Sequence, residues 1–550
     1  MQRAAISSVG VLATDAIADQ RPNHTRPSIN ARRWWTLLTL CLCITVIGVD
    51  NTILNVALPS IVRDLNASGS ELELIVDAYT IVFACLLLSA GSLGDRYGRR
   101  RALMLGLVWF GLWSAIASVA STPTELIAAR CMMGIGGAFI FPTTLSILTN
   151  TFHDPRERAQ AIGVWAGVSG IGIALGPLIG GLLVERFGWA SVFLVNVPIC
   201  TVALIMSAAF VPDTSAREDS PLDPIGAVLS IFGLALLLYG VIEGPDHGWG
   251  SARVMGPIGL GAVFLVGFAF WEAHNPRPML DLRFFKNPRF SAASATITLT
   301  FAASFGATFL MTQYFQFLLG YSPLKAGLMI TPVAVGMMTA SPFAPGFVNR
   351  FGTKRVVMFG LTLIAVSTAC SGSDAIMSSF GGGMLTRLGM GFGFGFTTAP
   401  VTESIMGSLP RTRAGVGSAV NDTTRQTGGA IGVAVMGTVF AAAYRANMGQ
   451  LVFVPAASRA AARESIGTSL ATAGHLGGAT AQQLLAEAHA AFLTAMRLTY
   501  GVAVGIVLIA VFVAWRFLPA RAVAAPAAPY EREAPVAPSP DLLEGLEIAD

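Results

Sequence analysis

The sequence has very little charge for its length. Of its 550 residues only 12% are charged, while 53% are hydrophobic. A soluble protein carries about 25% charged residues, which cover its surface, so this composition excludes an ordinary soluble globular protein. The formal net charge of +4 is also small, and it gives no indication of a nucleic-acid partner.

Lysine, histidine and cysteine are scarce, and their positions exclude several kinds of site. The three lysines lie outside any GxxxxGK[ST] segment, which is the phosphate-binding loop that an ATP-driven pump requires. The six histidines stand in predicted tails or loops without ligand spacing, and the six cysteines lie in apolar runs without a CxxC pair. We therefore expect no metal site, no disulfide framework and no cofactor, and we interpret the cysteines as packing residues.

The motifs of membrane enzymes are missing as well. The sequence contains no GxSxG and no HExxH segment, and it presents no other recognisable set of a nucleophile with its base. We therefore do not expect this protein to be an enzyme.

Long apolar runs recur from residue 34 to residue 518. Runs of about 18 or more apolar residues are long enough to span a hydrocarbon core of roughly 30 Å, and in lipid a single segment satisfies all its backbone polar groups only as a helix. The pattern predicts an all-α polytopic membrane protein with about fourteen transmembrane helices. The predicted spans are 34–58, 73–94, 102–121, 125–148, 159–184, 190–211, 224–243, 254–272, 291–318, 325–346, 355–373, 381–407, 413–443 and 491–517.

Positively charged residues are distributed unevenly between the two sides of these helices. With an even number of helices, both tails and every second loop share one side, which holds 24 of the 35 lysines and arginines. The other side holds seven, and four lie inside helices. Because positively charged loops stay on the cytoplasmic side, we expect a protein of the cytoplasmic (inner) membrane with both termini in the cytoplasm.

Two short patterns occur twice, at nearly the same spacing along the chain. The segment 95–101 (DRYGRRR) is matched by 349–355 (NRFGTKR), and the segment 130–134 by 387–391. Two independent matches indicate a duplicated six-helix unit, which leaves predicted helices 7 and 8 as an insertion. This arrangement resembles the parallel-repeat plan of major facilitator transporters, which implies a substrate site at mid-membrane between the halves.

The repeat and the polar segments together divide the chain. Residues 1–33 lack the apolar region of a cleavable signal peptide, so we expect the first helix to direct insertion. The end of the chain is rich in Ala, Pro and acidic residues, which predicts disorder. The expected parts are a cytoplasmic tail 1–33, a six-helix bundle 34–211, a linker with two additional helices 212–290, a second six-helix bundle 291–517 that includes an extracellular loop 445–490, and a cytoplasmic tail 518–550.

The loop GSLGDRYGRR at residues 91–100 resembles the signature loop of the major facilitator family. The resemblance implies a cytoplasmic gate latch that breaks and re-forms, in which the carboxylate accepts hydrogen bonds from a neighbouring helix end or an arginine. A simple positively charged topology anchor is the alternative. The residues of this gating motif are Gly91, Asp95, Arg96, Gly98 and Arg99.

Predicted helix 5 contains GIALGPLIGG at residues 172–181, which resembles the antiporter signature of exporters. Small residues four positions apart let helices approach closely, and a proline removes one backbone hydrogen bond and permits a bend. A plain packing face with a kink is the alternative. The residues of this antiporter motif are Gly172, Gly176, Pro177, Gly180 and Gly181.

Segments 49–59, 75–79 and 421–426 are similar to the fourteen-helix drug:proton antiporter branch of the family, and especially to its quaternary-ammonium exporters. The resemblance extends over almost all of the predicted membrane region and implies proton-coupled export of drug-like compounds. The sequence departs from those exporters at Leu74, where they usually have tryptophan, and at Asn421, where they have a second carboxylate.

Ionisable residues inside membrane helices are costly and indicate function. At about 1.5 Å per residue, Asp50 and Asp77 lie roughly 24 and 26 Å from the inner boundary, so they share a depth in the outer half of the membrane. We expect both at the substrate site as well as in proton coupling, and the alternative is a structural carboxylate paired with Arg130. The expected proton-coupling residues are Asp50, Asp77, Arg130 and Asp422.

Substrate cavities of this family are lined by apolar and aromatic side chains. We expect a monomeric exporter that exchanges a small cationic or amphipathic molecule for protons across the lipid bilayer by alternating access. A proton-coupled transporter of a specific metabolite or nutrient, and a membrane sensor without transport, are the alternatives. The aromatic candidates for the substrate site are Tyr79, Phe141, Trp165, Phe305 and Tyr314.

Overall fold

The structure is a computed structural model that describes residues 27–212 and 223–520. All regular secondary structure in these ranges is helical, and fourteen long helices make up the bundle. They are α1 Pro27–Leu65, α2 Gly69–Tyr97, α3 Arg99–Ala117, α4 Pro123–Thr151, α5 Pro155–Phe187, α6 Ser191–Phe210, α7 Pro224–His247, α8 Ala252–His274, α9 Pro288–Leu318, α10 Pro323–Phe351, α11 Thr353–Ser371, α12 Phe380–Met406, α13 Ala414–Asn447 and α14 Gly478–Phe517.

Within the described ranges, thirteen of these helices are long and apolar enough to cross a membrane. The remaining one, α12, has 27 residues, which is roughly 40 Å of helix and exceeds a hydrocarbon thickness of about 30 Å. Its glycines make it less apolar, and they let its backbone touch α10 at Val333 and α11 at Gly360. The predicted all-α fold with about fourteen membrane helices is confirmed.

The helices form two six-helix bundles, α1–α6 and α9–α14, as the internal repeat predicted. One apolar cluster lies mainly in the first bundle, and two others lie mainly in the second. The inserted helices α7 and α8 pack against each other, and α7 also contacts α2 and α13. All six cysteines are free and buried or half-buried within the helices, in agreement with their interpretation as packing residues.

The repeated loop pattern ends a helix in the same way in both bundles. Gly98 closes α2 with φ 103°, and Gly352 closes α10 with φ 84°, a region that favours glycine because it has no Cβ. Each glycine amide donates to the carbonyl four residues earlier, Gly94 and Val348 respectively. The next helix begins at the following residue, so the pattern that revealed the repeat also sets the helix boundary.

The loops that follow α2, α4, α10 and α12 lie at one end of the bundle, which we call the basic face. There the Arg99 guanidinium donates to the carbonyl of Arg411, and the Arg411 guanidinium donates to the carbonyl of His153. The segment between α13 and α14 lies at the other end, which we call the opposite face.

The segment between α13 and α14 is shorter than the predicted loop 445–490. Two short helices, Ala456–Glu464 and Ile466–Leu476, fill it, and α14 already begins at Gly478. The start of α14 is rich in Ala, Leu and Gln, which favour helix, but it is too polar to be recognised as a membrane span. The predicted tails 1–33 and 518–550 lie largely outside the described residues.

Candidate functional site

A buried ion pair lies inside the first bundle. Asp50 of α1 and Arg130 of α4 are 1% and 2% exposed, and Arg130 Nη1 lies 2.7 Å from Asp50 Oδ2. The other carboxylate oxygen accepts from Asn196 Nδ2 of α6 at 3.0 Å. A buried ion pair is tolerated only when further hydrogen bonds satisfy both partners, and this carboxylate meets that condition.

The arginine is held by α2 as well. Arg130 Nε donates to the carbonyl of Ile75 at 3.1 Å, and its guanidinium carbon lies 4.2 Å from the centre of the Tyr79 ring. Asn196 also donates to Ser114 Oγ of α3. Five of the six helices of the first bundle therefore meet at this pair, which we call the first charge centre.

Asp77 does not join the first charge centre. It lies two residues from Tyr79, which is about 200° of helix rotation, so its side chain leaves α2 on the side away from Arg130. Gly91 and Asp95 lie on the same side of helix α2 as Asp77, because they are 14 and 18 residues further along it, which is close to a whole number of turns. Both contact α13. Asp77 is half-buried and stands on the face of α2 that continues toward α13.

A second charge centre lies on α13 of the second bundle. Asp422 is buried and accepts from Asn421 Nδ2 at 2.9 Å, and Arg425 follows one turn later. Arg425 Nη2 donates to Thr402 Oγ1 at 3.1 Å. Asp422 has no cation within ion-pair distance among the described residues, so its charge is less compensated than that of Asp50.

Arg425 crosses from one bundle to the other. Its guanidinium carbon lies 5.3 Å from the centre of the Trp165 ring of α5 and 5.1 Å from that of Phe301 of α9. Each bundle therefore contributes one aromatic ring to the same cation. The sequence interpretation assigned no role to Arg425, although a charged residue this deep in an apolar helix was a usable signal.

An aromatic series joins the two charge centres. Ring centres lie 5.9 Å apart from Tyr79 to Phe83, 5.9 Å from Phe83 to Phe141 and 5.8 Å from Phe141 to Trp165. These separations are typical of interacting aromatic pairs. The series begins under Arg130 and ends under Arg425, and three of its four members were predicted from the sequence.

The remaining aromatic candidates lie in the second bundle. Phe305 is a neighbour of Phe301, with 5.4 Å between ring centres, and so adjoins the ring under Arg425. Tyr314 lies elsewhere, because its hydroxyl donates to Asp374 Oδ1 at 2.8 Å within an outer apolar cluster. The structure thus groups Phe305, but not Tyr314, with the aromatic series.

Arg387, the repeat counterpart of Arg130, has no equivalent pair. It is buried, and its guanidinium carbon lies 5.2 Å from the centre of the Phe315 ring. Its Nε and Nη1 atoms have no hydrogen-bond partner among the described residues. Arg387 therefore occupies the position in the second bundle that Arg130 has in the first, but no described carboxylate pairs with it.

The gating motif joins the two bundles at the basic face. Asp95 is buried, and its carboxylate accepts from Arg99 Nε at 2.8 Å and from the backbone amides of Gly415 and Val416 at 2.9 to 3.2 Å. These amides begin α13, so the carboxylate lies at the positive end of a helix dipole. A Cβ on Gly91 would collide with the Gly415 carbonyl, which explains the small residue there.

The remaining members of the gating motif support this contact. Arg96 is half-buried at the end of α2, and Gly98 makes the turn into α3. A second contact between the bundles is the ion pair of Arg158 with Glu403, at 2.8 Å. No local sequence pattern predicts this pair, because its partners are 245 residues apart in the chain.

The antiporter motif of α5 packs against helices of both bundles. Gly172, Gly176 and Gly180 lie directly against α1 between residues 45 and 53, which is the segment that carries Asp50. On the other side of the helix, Pro177 lies against Gly327 of α10, and Gly181 lies against Leu324 of the same helix. The motif therefore fits between the first charge centre and the second bundle.

A family model described as Major Facilitator Superfamily matches residues 40–433. The chain belongs to the Major Facilitator Superfamily. Among solved structures, this transporter superposes on the proton:xylose symporter XylE with a TM-score of 0.57 at 15% identity, over 89% of this chain and 96% of that chain. At that identity the likeness shows the shared fold alone.

Curated relatives of this superfamily member are named for efflux and drug resistance. The Multidrug efflux pump LfrA of Mycolicibacterium smegmatis is 36% identical over 478 residues, which are 86% of this chain and 93% of that protein. The Methyl viologen resistance protein SmvA of Salmonella typhimurium is 35% identical over 474 residues, with shares of 84% and 93%. They confirm the resemblance to the drug:proton antiporter branch.

The contact of Asp95 with α13 generates a prediction about turnover. In Asp95→Asn the side chain keeps its size but loses the charge that faces the α13 amides and Arg99, so we expect normal amounts of folded protein and at least fivefold slower transport of a cationic dye in membrane vesicles.

Asp154→Asn is the matched control for this change. Asp154 also accepts from backbone amides at a helix start on the basic face, but it caps its own helix α5, where asparagine is an equally good cap. We expect near-normal transport from the control. If the two variants transport the dye at equal rates, the Asp95 loop acts only as a positively charged topology anchor.

Proposed function

We propose that this protein exports drug-like cationic or amphipathic compounds in exchange for protons, by alternating access between its two bundles. The relatives named for efflux and resistance support export. Methyl viologen, which appears in the name of one of them, is a flat dication. A cation of that kind matches the aromatic series described above, because ring faces attract positive charge.

The observation that carries the proposal is the position of Arg425. Its planar cation lies against one aromatic ring from each bundle, Trp165 and Phe301, at the place where a flat cationic substrate would bind. A desolvated cation–aromatic contact contributes about 2 kcal/mol. We propose that substrate displaces Arg425 from these rings, which loosens the contact between the bundles at mid-membrane.

The proton acts on the first charge centre. When Asp50 takes up a proton, Arg130 loses its counter-charge and the neighbouring aromatic series gains net positive charge, which disfavours a cationic substrate. When Asp50 releases the proton, the ion pair re-forms and a cation is accepted again. Substrate and proton therefore exclude each other, and this exclusion couples their movements in opposite directions.

Asp422 and Asp77 are the further proton-coupling candidates. Protonation of Asp422 removes a buried charge that no cation within ion-pair distance balances in the described residues, so we propose it as a second proton site beside Arg425. Asp77 lies on the stripe of α2 that continues toward α13, and we propose that it attracts the second charge of a dication.

The direction of transport distinguishes an exporter of drug-like compounds from a transporter that takes up a metabolite or nutrient. The fold is shared with a symporter, so the fold alone does not distinguish export from uptake. The antiporter motif against α1 and the names of the relatives favour export. Transport of a cationic dye separates the exporter from a membrane sensor, which would move none.

We further propose that the basic face is cytoplasmic and that the protein acts as a monomer in the cytoplasmic membrane. The excess of lysine and arginine on that side supports the orientation. An alkaline phosphatase reporter, which is active only outside the cytoplasm, should be silent when fused after residue 550. The same reporter should be active when inserted between residues 448 and 455, and the reverse pattern would overturn the orientation.

The coupling proposal predicts the behaviour of Asp50→Asn. In everted membrane vesicles with an acidified lumen, the wild-type protein should accumulate ethidium, whereas Asp50→Asn should show less than a tenth of that uptake because the proton carrier is missing. Asparagine still accepts a hydrogen bond from Arg130, so we expect the variant in the membrane at a comparable level.

Ser114→Ala is the matched control for this experiment. It alters the same hydrogen-bond network, in which Ser114 accepts from Asn196 and donates to the Phe193 carbonyl, but it removes no titratable group. We expect at least half of wild-type uptake. Full proton-driven uptake by Asp50→Asn would move the proton carrier elsewhere, with Asp422 the next candidate.

A further inference from the structure

A cavity of about 480 Å³ opens at the basic face, far from both charge centres. It lies where the end of α10, the start of α11 and the end of α14 come together. Three of its wall residues are cationic, and the rest are apolar or aromatic. The wall consists of Arg350, Phe351, Lys354, Arg355, Met358, Trp515 and Ala520.

Within the part of the chain that the structure describes, no carboxylate pairs with the cations of this cavity. Arg350, Lys354 and Arg355 make no ion pair and no hydrogen bond among the described residues. In the first bundle the corresponding loop contains an internal ion pair of Asp95 with Arg99, whereas the second loop has Asn349 and Thr353 at these two positions and contains no carboxylate.

The aromatic part of the wall is exposed at the surface of the helix bundle. Trp515 is 53% exposed and Phe351 is 46% exposed, and both stand near the end of a membrane helix. Tryptophan favours the boundary between hydrocarbon and head groups, because its ring is apolar and its N–H is polar. The cavity thus presents three cations on its polar side and aromatic rings on its lipid side.

We propose that this cavity binds an anionic phospholipid, with the phosphate of the head group against Arg350, Lys354 and Arg355 and the upper acyl chain against Trp515 and Phe351. Basic pockets between membrane helices on the cytoplasmic side are suited to such head groups. A soluble phosphate ester would use the cations but leave the aromatic wall without a partner, so the lipid accounts for both sides of the cavity.

The test compares lipid binding to the purified full-length protein by native mass spectrometry. Phosphatidylglycerol and phosphatidylcholine with the same acyl chains are titrated separately into the detergent-solubilised protein. We expect phosphatidylglycerol to bind at least tenfold more tightly than phosphatidylcholine. In the combined variant Arg350→Gln, Lys354→Gln and Arg355→Gln, this preference should fall at least fivefold.

A matched variant removes the same charge from the same face outside the cavity. It carries Arg277→Gln, Arg283→Gln and Lys286→Gln, all of them exposed positions between α8 and α9. We expect its lipid preference to change less than twofold. Equal losses in the two variants would reduce the effect to general surface charge, and no loss in the cavity variant would overturn the proposal.

Glycerol 3-phosphate distinguishes the lipid from a soluble phosphate ester. In tenfold excess over phosphatidylglycerol it should leave the bound lipid in place, because it lacks the acyl chains that meet the aromatic wall. Displacement at equal concentration would assign the cavity to soluble esters and overturn the lipid proposal. The readout is binding without transport, so its outcome is independent of the proposed export function.

Discussion

Burying a charge inside a membrane protein costs free energy, and this cost constrains the whole structure. The ion pair of Asp50 with Arg130 offsets it most completely. Breaking such a pair by removing one partner costs about 3–5 kcal/mol. The surrounding helices stabilise the pair. Asn196 of α6 donates to the carboxylate, and the Ile75 carbonyl and the Tyr79 ring of α2 contact the arginine. The glycines of α5 allow close contact with α1. A proton on Asp50 would neutralise the carboxylate and leave Arg130 without its counter-charge. The pair is therefore suited to coupling proton uptake to transport.

The two bundles have the same plan but different electrostatics. The first has a closed ion pair, whereas the second has Arg387 without a carboxylate, and Asp422 without a cation within ion-pair distance among the described residues. Arg425 then lies across the boundary, against rings of both bundles. This asymmetry extends to the basic face, where Asp95 pairs with Arg99 in one repeated loop and Asn349 and Thr353 stand at these positions of the other. The two bundles thus share a fold and differ at single carboxylates.

Much of the fold could be predicted from the sequence, because apolar runs and repeated loops are local patterns. The helices and the two bundles follow from such patterns, whereas the aromatic candidates Tyr79, Phe141 and Trp165 came from the resemblance to the family. The interpretation was weakest where partners are distant or hydropathy is low. The pair of Arg158 with Glu403 leaves no local signal, and the polar start of α14 was predicted as part of a loop. Arg425 was overlooked because only the packed structure brings Trp165 and Phe301 to it.

Competition between a proton and a cation at the two linked charge centres is the central claim of this account. Its most direct test is a titration of the purified protein with ethidium in weakly buffered solution at a series of pH values from acidic to neutral, in which ethidium binding and the pH of the solution are recorded together. The account predicts that binding releases protons from the wild-type protein and that Asp50→Asn binds ethidium with much smaller release. Binding of ethidium by the wild-type protein without any release of protons would contradict it.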